Sequence, residues 1–159
     1  MRVAILTVSD SVIKGTRTDT SGQAIADWCA SRDYIVAKRA TVTDETSEIS
    51  PTIAAWCDSN EVDLVLTTGG TGLSPRDVTP EATRAVIERD ANGIAEYIRA
   101  QSFNRFPRAA LSRGLSGVRG STLVVNLPGS TGGVTDALVA LEPIIDHAID
   151  VLGGRNSHS

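Results

Sequence analysis

The order of segments along the chain predicts an α/β protein with a single-domain, doubly wound, mostly parallel sheet and helices on both faces. Short apolar runs rich in β-branched residues alternate with segments of helical periodicity. Parallel strands need right-handed crossovers, and the crossover helices cover the two faces of the sheet. The length of 159 residues suits one compact domain, so we expect a single domain over residues 1–159.

Three strands and two helices are predicted in the first half of the chain. The strands are the apolar runs Val3 to Val8, Tyr34 to Val42 and Val62 to Thr67. A polar loop from Ser9 to Gly22 follows the first strand, and a helix is predicted over Gln23 to Ser31. Ser50 followed by Pro51 predicts the start of the second helix, because serine is a good N-cap and proline suits the first helical position.

One strand and three helices are predicted in the second half. Thr79 and Pro80 repeat the serine-proline type of helix start, and this helix is expected to extend through Arg89. The remaining predicted elements are a helix from about Gly93 to Arg105, a strand over Ser121 to Leu127 and a long helix over Val134 to Leu152, closed by Gly153-Gly154.

Scarce residue types narrow the possible chemistry. The only two lysines, Lys14 and Lys38, do not follow a glycine-rich loop, which excludes a Walker-type phosphate loop. Cys29 and Cys57 stand at no metal-binding spacing and are interpreted as buried free thiols. The two histidines are His147, for which a packing or surface role is expected in the last helix, and His158 near the C-terminus. An enzyme of this composition would have to work with carboxylates, backbone amides and hydroxyls, to which a hard cation could be added.

The overall charge and hydropathy indicate which classes of partner and which cellular location to expect. A net charge of −4 argues against an electrostatic nucleic-acid surface. No apolar run is long enough to span a bilayer, so no membrane association is expected. The N-terminal residues lack the features of a signal peptide, and we therefore expect a cytoplasmic protein.

Two glycine-rich loops follow predicted strands. The first contains Thr68, Gly69, Gly70, Thr71 and Gly72, and glycines at such a turn can present backbone N–H groups to an anion. The second runs from Asn126 to Gly133. Each could be a plain strand-to-helix turn, but in a doubly wound sheet both loops would face one edge, where ligands bind.

Aspartates follow the predicted strands at the same edge. Asp10 follows the first strand, Asp44 follows the second and Asp77 lies within the first glycine-rich loop. Each has an alternative interpretation as an Asx turn or a helix cap. Together they suggest a Mg²⁺ site, since Mg²⁺ takes one or two carboxylates and completes its shell with water and substrate phosphate.

Four sequence motifs carry a resemblance to a known family. The sequence TGGTG at 68–72, RDVTPEAT at 76–83, LSR at 111–113 and NLPGS at 126–130 resemble the MogA/MoaB family of molybdenum cofactor biosynthesis proteins over nearly the whole chain. The chain looks most similar to the molybdopterin adenylyltransferase branch, which includes MogA and the gephyrin G domain. The resemblance implies transfer of AMP from Mg-ATP to the terminal phosphate of molybdopterin, with release of pyrophosphate.

The resemblance also implies roles for individual residues. Asp77 and Asp44 match the family's two important aspartates, which implies that they hold Mg²⁺ and the reacting phosphates. The motif residues implied to bind substrate or nucleotide are Ser9, Asp10, Thr68, Gly69, Gly70, Thr71, Gly72, Arg76, Ser112, Asn126, Pro128, Gly129 and Ser130. Further implied partners are a molybdate-inserting protein, which would accept the product, and two more copies of the chain in a homotrimer. Phe103 and Phe106, near a helix end, make the homotrimer plausible, although both could instead pack within one subunit.

Two other functions are open at this point. The first is a non-catalytic molybdopterin carrier or scaffold of the MoaB type, using the same pocket without turnover. The retained Asp77 within RDVTP is the feature that favours the active branch. The second is a molybdate-inserting relative, which would require further domains.

Overall fold

A computed structural model describes residues 1–155 of the chain, so His158 lies outside the described part. Its strands are β1 (Arg2–Val8), β2 (Ile35–Val42), β3 (Leu64–Thr68), β4 (Arg89–Asp90), β5 (Ser116–Arg119) and β6 (Thr122–Leu127). Its α-helices are α1 (Asp10–Ile13), α2 (Thr20–Ser31), α3 (Thr46–Asp58), α4 (Thr79–Arg84), α5 (Asn92–Phe103) and α6 (Thr131–Leu152), and a 3₁₀ helix spans Pro107–Leu111.

The strands form one six-stranded sheet in the order β2-β1-β3-β6-β5-β4. The four strands β2, β1, β3 and β6 are parallel, whereas β5 and β4 run antiparallel to their neighbours. After β1, the chain places β2 on one side of β1 and then β3 on the other side. The carboxyl ends of β1 and β3 are therefore a switch point, which is where ligands bind in sheets of this kind.

Apolar clusters cover both faces of the sheet. One cluster joins the sheet to α2, α5 and α6, with Ile25, Ile98 and Leu141 among its members. The other joins the opposite face to α3 and α4, with Ile53 and Ala82 among its members. The predicted doubly wound, mostly parallel α/β fold is confirmed.

Three helices begin earlier than the sequence predicts because side chains cap them upstream. The loop predicted from Ser9 contains the short helix α1, and α2 begins at Thr20 because Asp19 caps it by accepting a hydrogen bond from the Gly22 N–H at 2.9 Å. α6 begins at Thr131 rather than Val134, with Ser130 as its N-cap. In each case a side-chain cap moves the helix start upstream of the first apolar residue.

The predicted start of α3 at Ser50-Pro51 is wrong, because α3 begins at Thr46 and Pro51 lies inside it. Ile49, Ile53 and Cys57 are buried at intervals of four residues, and this stripe extends the helix one turn upstream of Ser50. The Ser50 hydroxyl does not cap a helix but donates to the Ala82 carbonyl at 2.7 Å.

The helix predicted through Arg89 ends at Arg84, and two short antiparallel strands, β4 and β5, were not predicted. β5 contains Gly117 and joins β6 through a tight turn at Gly120, where φ is +59°. Gly117 interrupts the apolar pattern in β5, and β4 consists of two charged residues, so neither strand has the apolar run that predicts the other strands.

Both cysteines are free and buried, as predicted. Burial raises the pKa of each thiol to about 11, which keeps them in the unreactive protonated form. His147 is exposed on α6, which confirms a surface role. Among residues 1–155, no helix combines the length and apolar character needed to cross a bilayer.

Candidate active site at the switch point

The first glycine-rich loop is pressed against the end of β1. Gly69 has a φ of +98°, and a Cβ at this position would lie 2.3 Å from the carbonyl oxygen of Val8. Only glycine can therefore take this position without displacing β1. The Thr68 hydroxyl donates to the Pro128 carbonyl at 2.7 Å and joins this loop to the second glycine-rich loop. The two loops form one surface, as the sheet order requires.

Two cavities open on either side of this surface. The smaller, here called the N-terminal cavity, has a volume of about 440 Å³ and is lined by the loop after β1, the start of α2, Asp44 and the first glycine-rich loop. The larger, here called the arginine cavity, has a volume of about 800 Å³ and is lined by the end of α5, the 3₁₀ helix and the start of α6. The residues that line both cavities are Gly70, Asp77, Gly129 and Ser130.

All but two of the site residues predicted from sequence line one or both cavities. Those in the N-terminal cavity alone are Ser9, Asp10, Asp44, Thr68 and Gly69. Those in the arginine cavity alone are Thr71, Gly72, Ser112 and Pro128. Asp77 belongs to both, and it therefore lies where ligands in the two cavities would meet.

The remaining two predicted residues, Asn126 and Arg76, line neither cavity. Asn126 is buried, and its amide donates to the hydroxyls of Thr67 and Thr83 at 3.0 and 3.1 Å. Its side-chain oxygen accepts from the Leu115 N–H at 3.1 Å. Asn126 thus cross-links β3, α4 and the start of β5 beneath the loops.

A reciprocal pair of hydrogen bonds joins the ends of β1 and β2. The Asp10 N–H donates to the Asp44 carboxylate at 2.9 Å, and the Asp44 N–H donates to the Asp10 carboxylate at 3.0 Å. Arg76 closes this pair by donating from two nitrogens to Asp10 at 3.0 Å and from a third to Glu45 at 2.8 Å. Asp10 is therefore occupied by protein partners, whereas Asp44 keeps an oxygen beside Gly70, where a Cβ would lie 3.2 Å from it.

The two paired aspartates differ in their pKa. The Asp44 N–H and the Arg76 guanidinium hold the pKa of Asp10 below its ordinary value. Burial raises the pKa of Asp44, and the neighbouring negative charges of Asp10 and Asp77 raise it further. A divalent cation beside Asp44 would relieve this accumulation of negative charge.

The carboxylates fit a hard cation that is shared with a substrate. Among residues 1–155, no three His, Cys, Asp or Glu side chains are grouped as a complete metal site. Asp44 and Asp77 both line the N-terminal cavity, and Mg²⁺ is commonly bound through one or two carboxylates with water and substrate phosphate. This donor set suits a cation that arrives with a phosphate ligand.

Two helix N-termini open on the N-terminal cavity. Thr20 begins α2, Thr131 begins α6, and their hydroxyl oxygens are 2.7 Å apart. The side chains of the N-caps Asp19 and Ser130 accept hydrogen bonds from the N–H groups of Gly22 and Gly133, respectively. The positive ends of two helices beside the glycine-rich loop favour an anionic ligand here.

The arginine cavity contains residues that sequence motifs did not identify. Arg99, Arg105, Arg108 and Asp136 line it together with the apolar side chains of Ile98, Phe106 and Leu111. Arg105 pairs with Asp136 at 2.9 Å, and Arg99 donates to the Gly114 carbonyl at 2.6 Å. These positions come together only through the packing of α5 on α6, and no local pattern marks them.

Fold and site together define a doubly wound α/β protein whose candidate ligand site lies at the switch point of its sheet. Residues 4–147 match the family model described as a probable molybdopterin binding domain. A molybdopterin adenylyltransferase from Helicobacter pylori J99 is 35% identical over 159 residues, which cover 98% of this chain and 89% of that protein. The chain belongs to the molybdopterin-binding MogA/MoaB family, as its motifs predicted.

Two further relatives bear on the branch of the family. The molybdopterin biosynthesis enzyme MoaB from Thermus thermophilus has a solved structure with a TM-score of 0.91 and 46% identity, covering 96% of each chain. The molybdenum cofactor synthesis protein cinnamon from Drosophila melanogaster is 39% identical over 153 residues, which cover 94% of this chain and 25% of that protein. The chain thus spans about a quarter of the cinnamon protein.

Proposed function

We propose that this protein is a molybdopterin adenylyltransferase of molybdenum cofactor biosynthesis. The observation that carries the proposal is that two cavities share one wall containing Asp77, Gly70 and the start of α6. A transfer between two substrates needs two ligand spaces that meet at the reacting atoms. A carrier of a single ligand needs only one.

The reaction requires little acid or base chemistry from the protein. An oxygen of the terminal phosphate of molybdopterin attacks the α-phosphorus of ATP, the bond from that phosphorus to the β-phosphate oxygen breaks, and pyrophosphate leaves with the bonding electrons. The attacking phosphate monoester is already anionic near neutral pH. The protein has to hold two anions together and stabilise the charge that develops on the leaving group.

The residues of the shared wall suit these tasks. Asp77 and Asp44 would hold Mg²⁺, which supplies positive charge to the reacting phosphates when it is bound. The glycine-rich loop and the N-terminus of α6 offer backbone N–H groups to the same phosphates. The hydrogen bonds between Asp10 and Asp44, closed by Arg76, would keep the Asp44 carboxylate in place.

The alternative is a non-catalytic molybdopterin carrier or scaffold of the MoaB type, which would use the same pocket without turnover. Incubation with molybdopterin, Mg²⁺ and ATP, followed by assay of adenylylated pterin and pyrophosphate, separates the two functions. The transferase yields both products in equal amounts. A carrier binds molybdopterin but forms neither product, and this result would overturn the proposal.

We also propose that the protein acts as a homotrimer in the cytoplasm and passes its product to a molybdate-inserting protein. Phe103 and Phe106 are 44% and 51% exposed on the single chain, so packing within one subunit does not cover them. A second copy of the chain could cover such apolar side chains. Two free, buried cysteines are consistent with a reducing compartment. Sedimentation equilibrium should give three times the chain mass, and a monomer at micromolar concentration would contradict the trimer.

A further inference from the structure

Arg113, which precedes β5, binds the first glycine-rich loop at several points. Its Nε donates to the Gly72 carbonyl at 2.8 Å and its Nη2 donates to the Asp77 carbonyl at 2.7 Å. Its Nη1 lies 2.9 Å from both carboxylate oxygens of Glu81 on α4, and its backbone N–H donates to the Thr71 carbonyl at 2.7 Å. One side chain thus joins the two ends of the segment 72–77.

The Asp77 carboxylate folds back over the same segment. Its Oδ2 accepts from the Ser74 N–H at 3.1 Å, and a Cβ at Gly72 would lie 2.9 Å from that oxygen. The Asp77 N–H in turn donates to the Ser74 carbonyl at 2.9 Å. The position of the carboxylate therefore depends on the backbone at Gly72 and at Asp77, which are the two points that Arg113 holds.

Arg113 has no direct role toward a ligand in this geometry. It lines neither cavity, and its charge is paired with Glu81. Its side chain is 37% exposed, so it is not part of the apolar core. Its planar guanidinium serves three acceptors in different directions, which a lysine ammonium on a flexible stem cannot reproduce.

We propose that Arg113 is a positioning residue, which fixes the segment 72–77 and thereby places the Asp77 carboxylate at the shared wall of the two cavities. Its catalytic consequence rests on the proposed adenylyl transfer. A misplacement of about 1 Å at a reacting centre costs on the order of a hundredfold in rate. Loss of Arg113 should therefore lower kcat and leave the binding of both substrates nearly intact.

The chain offers a matched control in Arg119 on β5. Arg119 donates to both oxygens of Asp58 at 3.1 and 3.0 Å and to the Val86 carbonyl at 2.9 Å, and its side chain is 28% exposed. It therefore resembles Arg113 in bonding and in burial, but it lies away from both cavities. A general effect of losing a tethered arginine would appear equally in Arg119→Ala.

The experiment compares Arg113→Ala, Arg113→Lys and Arg119→Ala by amide hydrogen exchange and by steady-state kinetics. In Arg113→Ala, amides of residues 71–78 should exchange about tenfold faster than in the parent, while those of β1 and β3 stay protected. Its kcat should fall roughly ten- to a hundredfold, with each KM within about threefold of the parent value. Arg113→Lys should show much of both effects, and Arg119→Ala should show neither.

A variant that keeps part of the contact refines this test. Glu81→Gln leaves the bonds from Arg113 to the Gly72 and Asp77 carbonyls in place, so its kcat should fall less than that of Arg113→Ala. If Arg113→Ala does not fold, Arg113→Lys and Glu81→Gln carry the comparison.

Unchanged exchange in residues 71–78 would overturn the proposal, as would faster exchange with an unchanged kcat. If the parent protein transfers no AMP, the proposed function fails independently of Arg113. The exchange comparison then still decides whether Arg113 holds the segment 72–77.

Discussion

The two cavities share a wall but differ in how their side chains are held. In the N-terminal cavity, Asp10 and Asp44 bind each other's backbone across the ends of two buried strands. In the arginine cavity, Arg105 is 71% exposed and Phe106 is 51% exposed, and both lie in the turn between α5 and the 3₁₀ helix. The first region is preorganised around carboxylates, and the second offers adjustable positive charge and apolar area.

This difference suggests a division of labour. Groups that stabilise a transition state must be fixed before the reaction, because reorganising them would cost free energy at that moment. Groups that only bind a substrate contribute equally to the ground state and the transition state. We therefore expect substitutions at the shared wall and in the N-terminal cavity to lower kcat, and substitutions of the exposed arginines to raise a KM.

The largest effect is expected at the wall that both cavities share. Asp77→Asn removes a negative charge of the proposed Mg²⁺ site but keeps hydrogen-bonding capacity, so turnover should fall about a hundred- to a thousandfold. Molybdopterin binding, followed by equilibrium dialysis, should persist. If Asp77 serves only to shape its loop, Asp77→Asn will fold, bind the pterin and turn over at the parent rate. That result would contradict the assignment of Asp77 to the proposed metal site.

A similar or smaller loss of turnover is expected for Asp44→Ala, in the N-terminal cavity alone. Asp44 shares the proposed cation with Asp77, and its loss also frees the Asp10 N–H. The Mg²⁺ concentration for half-maximal rate should rise, and molybdopterin affinity should stay near the parent value. An unchanged Mg²⁺ dependence would remove Asp44 from the proposed metal site.

A smaller effect of a different kind is expected in the arginine cavity. Arg108 is exposed and forms no ion pair within the described residues, so Arg108→Ala should raise the KM of one substrate about fivefold and leave kcat unchanged. Arg155→Ala, which removes an arginine remote from both cavities, is the control. Should kcat fall instead, the proposed division between the two regions would be wrong.

The smallest effect concerns stability and pH. Since the pKa of folded Asp44 is raised, its contribution to stability is lost as the pH rises through that pKa. Asp44→Asn should therefore raise Tm by at most a few degrees at neutral pH, and the gain should vanish as the pH falls.

Asp10 has a lowered pKa, so Asp10→Asn should lower Tm at neutral pH, and that loss should vanish in acid. Thermal melts across pH check both signs.

Sequence reasoning located the parallel strands and the loops at their ends because these features are local. The apolar run of β3 and the glycines that follow it are contiguous in the sequence. The structure has a buried strand there, followed directly by the glycine-rich loop. Asp44 and Asp77 could be proposed together because parallel strands bring successive loops to one edge. The edge strand β4 and its neighbour β5 were not predicted because they have only two and four residues, and tertiary pairing rather than a local apolar pattern forms them.

The larger cavity could not be predicted in the same way. Arg105 and Asp136 are far apart in sequence and meet only because α5 packs on α6. Arg113 lies within the LSR motif, but the motif does not show what its side chain contacts. In the folded loop, its three guanidinium nitrogens donate to the segment 72–77 and to Glu81 on α4. Asn126 was predicted to bind a ligand from the same kind of motif, and the structure shows a buried cross-link instead.

The most direct test of the central claim follows the α-phosphate of ATP. ATP labelled at the α-phosphorus and, separately, at the γ-phosphorus is incubated with molybdopterin, Mg²⁺ and the protein. The account predicts that the α label appears on the pterin in a one-to-one ratio with pyrophosphate, which carries the γ label. Molybdopterin that is bound but never acquires the α label, or that acquires the γ label, would contradict adenylyl transfer at the wall between the two cavities.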